Sequence, residues 1–162
     1  MAVPAGRGVE PASSAPLGAV LGAIGTVAVL LSLALPWRAG SVHPSDVPAA
    51  FLWDHTATSR DPSLLIFLVP LAVVMLVGTM APRGGAVRLF SGLATLAVCG
   101  LFAYQVDRLL GTLGHAGLSG TLDTGFYLAA IGAFLVFVSG MLPSAQYRRR
   151  GVDAVNRTPP YA

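Results

Sequence analysis

Ten arginines and seven acids are the only formally charged residues in this 162-residue chain, and they leave four windows empty: 17–37, 62–82, 89–106 and 124–147. Crossing a hydrocarbon core of about 30 Å takes about 20 predominantly apolar residues in a helix, and each window is long enough or nearly so. A water-soluble domain carries roughly a quarter of its residues as charges, spread along the chain. Here 10% are charged and 54% hydrophobic. The pattern therefore excludes an ordinary soluble domain and predicts an all-α membrane protein, a four-transmembrane-helix bundle. The single cysteine, Cys99, excludes a disulfide scaffold. A net charge of +3 raises the question of nucleic acid, but the arginines lie in termini and loops and form no basic face interleaved with aromatics.

The spans read as about 17–37, 63–81, 88–107 and 124–142, forming a transmembrane domain over 17–142 with a first outer loop at 38–62. Residues 1–16, rich in Ala, Pro and Ser, read as a flexible tail, and 143–162 as a basic disordered one. The first span superficially resembles a secretory signal. Its apolar run is too long and Arg7 before it is offset by Glu10, so an uncleaved span is expected. Pro70 lies within the second span, where a kink is expected and not a break, because neighbouring helices can satisfy the freed carbonyl.

Arginine near span ends is retained on the cytoplasmic side. Arg7, Arg83, Arg88, Arg148, Arg149, Arg150 and Arg157 fall on one side of the four-span arrangement, whereas Arg38, Arg60 and Arg108 fall on the other among more numerous acids. Both termini are therefore expected in the cytoplasm. Arg83, Arg88 and the 148–150 triplet set that topology or meet anionic lipid headgroups. Trp37, Trp53, Tyr104 and Tyr127 are expected as interfacial anchors at the outer headgroup level.

Helices in lipid associate through small residues that let backbones approach. Gly18, Gly22 and Gly25 in the first span, Ala94, Ala97 and Gly100 in the third, and Gly125, Ala129, Gly132 and Ala133 in the fourth supply such positions. Internal packing of spans one, three and four is the favoured reading, self-association or a partner subunit the other. The second span, with almost no small residue before Gly78 apart from Ala72, is expected to face lipid more. Thr26, Ser32, Thr79, Ser91, Thr95 and Ser139 are expected to bond their own helix backbone.

No Asp, Glu, Lys, Arg or His falls inside a window, which argues against proton-coupled transport, pumping and voltage sensing. Haem ligation needs histidine in the spans, but His43, His55 and His115 all lie in outer loops. No nucleophile elbow, phosphate loop or zinc-protease helix is present. The chain thus reads as no enzyme and without a cofactor. In the first outer loop, Ser45 or Asp46 is placed to cap a short interfacial helix with Pro48 in its first turn and Phe51, Leu52 and Trp53 at the interface. His43, Asp46, Asp54 and His55 are the only metal candidates, and their spacing matches no established ligand pattern.

Trp37 closing the first span, Phe51-Leu52-Trp53 in the loop, and a last span opening Gly125-Phe126-Tyr127-Leu128-Ala129 together resemble small uncharacterised four-helix membrane proteins of actinobacteria. Ten arginines without a lysine suit a GC-rich genome of that kind. The resemblance implies a layout over roughly 17–142 and no activity. The function expected is that of a non-enzymatic integral membrane protein, an accessory or scaffold subunit of a bacterial cell-envelope complex. Its partners would be the lipid bilayer and other membrane subunits or a second copy, with no nucleic acid. The alternative is a small transporter or binding protein for a lipid or apolar solute, using a cavity under the Phe51 to Trp53 segment.

Overall fold

Four helices, α1 (Leu17–Ser32), α2 (Leu65–Met80), α3 (Gly85–Thr112) and α4 (Thr124–Met141), carry the fold. The computed structural model describes residues 17–54, 62–81, 84–112 and 120–142, and among these there is no β-strand. The tails expected over 1–16 and 143–162, and with them His55, Arg83, Arg148, Arg149 and Arg150, lie outside the described residues. α3, through Gly85–Gly111, and α4 are long and apolar enough to cross a membrane. α1 and α2 are apolar but have 16 residues each, about 24 Å of helix. α1 stops at Ser32, short of Trp37, because the chain tightens through i→i−3 bonds from Leu33, Ala34 and Leu35 before Pro36. α2 runs through Pro70 as one helix. α3 has 28 residues, about 42 Å, and takes in Arg88 in its first turns.

α4 packs against α1 and α3 along much of its length, and α2 closes the ring less extensively against α3 and α1. Consecutive helices run antiparallel, so that Gly18 near the start of α1 meets Ser139 and Leu142 at the end of α4, while Leu35 and Pro36 meet Gly125 at its start. A methyl group at Gly25 would lie 2.5 Å from the Gly132 carbonyl oxygen, and one at Gly132 would lie 2.7 Å from that of Gly25. Backbones this close leave no room for a side chain and bring the main-chain atoms of the two helices into dispersion contact. The α3–α4 approach uses Gly92, whose added methyl would meet Phe137 N at 2.6 Å, and Gly140, 2.5 Å from Leu89 N. Neither glycine is among the small residues expected at a helix interface. Two that are, Ala97 and Gly100, face outward, and Gly100 has open space where a side chain would be. The three-residue spacing of Ala94, Ala97 and Gly100 drifts off the buried face of α3, which instead follows Arg88, Ser91, Gly92, Thr95, Cys99, Phe102 and Val106.

Outside as well as inside, the side chains of α1 and α2 are mostly apolar, unlike those of a soluble bundle. Every exposed position of α1 and α2 is apolar, including Val20, Ile24, Val27, Leu31, Ile66, Val73 and Val77. Exposed charge on the helices is confined to Asp107 and Arg108 in the last turns of α3. Hydroxyls point inward. Thr26, Ser32, Ser91 and Ser139 are buried and donate to carbonyls of Gly22, Val29, Arg88 and Val136, and Thr79 donates to that of Leu76. Thr95, fully buried, has no partner for its hydroxyl oxygen among the described residues.

Candidate functional site

Above the ends of α1 and α2 the first outer loop folds into a cap. The chain leaves α1 through Pro36 and turns back on itself between Arg38 and Val42. The turn passes through Gly40 at φ 92° and Ser41 at φ 60°, where the glycine avoids the Cβ clash of left-handed backbone. Trp37 N–H donates to Val42 O at 2.9 Å. Two further bonds, Ala39 N–H to Thr121 O and Asp123 N–H to Trp37 O, tie this turn to the segment that opens α4. Asp123 then caps α4 by accepting from the Thr124 N–H at 2.6 Å. On the other flank Ala49 N–H donates to Pro62 O and Leu64 N–H to Val47 O, joining the cap to the start of α2.

The loop helix is a single 3-10 turn, Ala49–Leu52, preceded by Pro48 without a side-chain cap. Asp46 does not cap it. Its carboxylate instead closes the turn before, accepting from His43 N–H at 3.1 Å and from the Ser45 hydroxyl at 3.2 Å. Phe51 and Leu52, expected at the membrane interface, are buried against the bundle, and only Trp53 emerges, 64% exposed, with its ring edge on Phe67. The reason is the apolar end of α3: Phe51 packs on Phe102 at 5.7 Å, so that the cap completes the bundle core.

Trp37 corrects the expectation of an outer anchor. It is 0% exposed, its indole N–H donates to Ser32 O at 3.0 Å, and its ring stands edge-on to Phe102 and Phe126 at 5.4 and 5.8 Å. The carbonyls at a helix C-terminus lack the usual i+4 donor, and the indole adds a second bond to Ser32 O, which Leu35 N–H also reaches, while filling the space where α1, α3 and α4 meet the cap. Tyr104 and Tyr127 are exposed.

Arg88 is a second correction. Of its two expected roles, setting topology or meeting lipid headgroups, the second does not fit, because Arg88 is 8% exposed, its Nη1 donating to Gly18 O at 2.9 Å and Nε to Gly84 O at 3.4 Å. Gly22 and Gly78 border its stem, which passes between α1 and α2 because neither helix has a side chain there. The arginine thus joins the start of α3 to the start of α1. At the opposite end Gln105 Nε2 donates to Leu52 O at 3.2 Å, while its Oε1 is buried with no partner among the described residues.

Beneath the cap lies a cavity of about 150 Å³ lined by Arg38, Val42, Asp46, Val47, Pro48, Phe51, Phe102 and Val106. The cavity expected from the sequence is one within the bundle, between spans, whereas this one lies between the cap and α3, and nothing in the sequence assigns Arg38 or Phe102 to it. The signal was the apolar i, i+4 pair Phe102 and Val106, which cannot be told from ordinary core spacing. Of the metal candidates, His43 and Asp46 sit in one turn, which the Asp46 carboxylate closes, and His55 lies outside the described residues. Among the described residues no three His, Cys, Asp or Glu side chains converge as a metal site requires. Cys99 is a buried free thiol in the core cluster of the cap end.

No family model matches the chain, and no curated protein and no solved structure matches it either.

Proposed function

We propose that the chain is a four-span integral membrane protein with both termini in the cytoplasm and the cap on the outer face, acting as a non-enzymatic accessory or scaffold subunit of a bacterial envelope complex. The observation that carries this is the apolar surface. Soluble monomers rarely expose a contiguous apolar patch larger than about 300–600 Å², whereas here the outer faces of α1 and α2 are apolar throughout. Lipid is the solvent that makes such a surface favourable, and it removes the need for an amphipathic stripe. The short helices α1 and α2 fit because the cap covers their outer ends, and their length mismatch is met by local thinning of the bilayer. The arginine asymmetry supports the orientation.

Cysteine labelling tests the topology. In a Cys99→Ala background, Ser45→Cys is expected to react with an impermeant maleimide in intact cells, and Ala145→Cys only after permeabilisation. The reverse order overturns the orientation. Purification from native membranes in mild detergent tests the scaffold role: partner subunits are expected to travel with the chain, and a lone monomer counts against it.

A second reading, a binding protein for a small apolar solute, is favoured by one observation, the cavity beneath the cap.

A further inference from the structure

One charged side chain at the cavity under the cap, Arg38, has no protein partner for its head among the described residues. Its volume, about 150 Å³, is that of an apolar pocket able to hold a benzene-sized body, and Phe51, Phe102 and Val106 supply apolar walls. Two charged residues share the lining, Arg38 and Asp46. Both Asp46 oxygens are already engaged, one by His43 N–H and one by the Ser45 hydroxyl. Arg38 is held through its main chain, paired with Val42 and Leu122, and its guanidinium has neither a hydrogen-bond nor an ion-pair partner among the described residues, Asp46 included. It is also half-buried. A guanidinium offers five N–H donors in a planar fork that matches a carboxylate.

We infer that this cavity binds a small amphiphile with an apolar body of about benzene size and a carboxylate head, the body between Phe51, Phe102 and Val106 and the head on Arg38. The inference rests on the second reading above and adds the ligand's charge. The walls are preformed. Phe51 and Phe102 are in ring contact at 5.7 Å, and main-chain bonds on both flanks hold the cap, so binding orders little.

Trp37 provides the readout, because its ring lies 5.4 Å from that of Phe102, a wall of the cavity. The chain has two tryptophans, so Trp53→Phe leaves Trp37 alone. The full chain with this change, in phosphatidylcholine nanodiscs, is titrated with 4-bromobenzoate, 4-bromobenzyl alcohol and 4-bromobenzylamine, whose bromine quenches a nearby indole. Saturable quenching is expected, tightest for the carboxylate. Arg38→Gln is expected to weaken the carboxylate about tenfold or more and the alcohol less than twofold, with Arg38→Lys between. Val106→Phe, which fills the cavity, is expected to remove saturation for all three. If the alcohol binds as tightly as the carboxylate and Arg38→Gln changes neither, the carboxylate assignment is overturned and the apolar-solute reading stands. Tightest binding of the amine overturns it in favour of Asp46. Quenching that never saturates for any probe overturns both.

Discussion

At the scale of single residues, the positions that matter most in this bundle are those with least side chain. Gly25 and Gly132 hold α1 against α4 because each occupies the place where the other's carbonyl would meet a methyl group, at 2.5 and 2.7 Å. Gly25→Ala is therefore expected to push the helices apart and lower stability by about 1–3 kcal/mol, the usual cost of overpacking. Gly100→Ala is the opposite case. It faces open space in mid-helix, so alanine is expected to be neutral or to add up to about 1 kcal/mol through helix propensity. Thermal unfolding in detergent measures both, and equal effects would refute the distinction. A sequence shows that both are glycines at small-residue spacing, but not which one has a helix opposite it. Trp37 teaches the same lesson with a large residue. Its place at the end of the first apolar window was legible, whereas its direction was fixed by Phe102 and Phe126 arriving from distant parts of the chain.

At the scale of elements, helix ends show how the cap and bundle depend on each other. Asp123 caps α4 with its side chain while its N–H is bonded to Trp37 O, so one residue both starts a helix and fastens the cap to it. Asp123→Ala is expected to cost about 0.5–2 kcal/mol, and Asp123→Asn, which keeps an acceptor, much less. Chemical unfolding distinguishes the two. The loss should appear together with faster amide exchange in residues 37–42, because loosening the start of α4 frees their partner. The existence of four helices and the continuity of α2 through Pro70 were legible in apolar window lengths. The 3-10 turn was not, because its four residues carry no side-chain cap and are held by Pro62 and Phe102, distant in sequence.

At the scale of the whole molecule, the surface decides which solvent the protein can live in. Val73 lies midway along α2 and is 52% exposed among other apolar side chains. Facing lipid, Val73→Asp is expected to oppose insertion by about 2.5–3.5 kcal/mol, and the variant should lose its place in the membrane fraction after alkaline extraction. In a water-soluble bundle the same change would raise solubility, so improved yield in the soluble fraction would refute the membrane assignment. The buried hydroxyls and the guanidinium of Arg88 fit the same surface: polar atoms on the helices are gathered where carbonyls accept from them, and apolar side chains are left to face outward.

By itself the sequence determined that the chain is helical, where the apolar segments lie and how the arginines divide among the connections, because these depend on composition and on periodicity along one strand of chain. Tertiary structure alone decided which small residues touch, that Trp37 and Arg88 turn inward, and that Arg38 joins Phe51, Phe102 and Val106 around one cavity. The physical reason is that a nearly uniform apolar surface erases the hydrophobic stripe from which a helix's inner face is read in water. The buried face is then set by shape and backbone approach, quantities that exist only between segments.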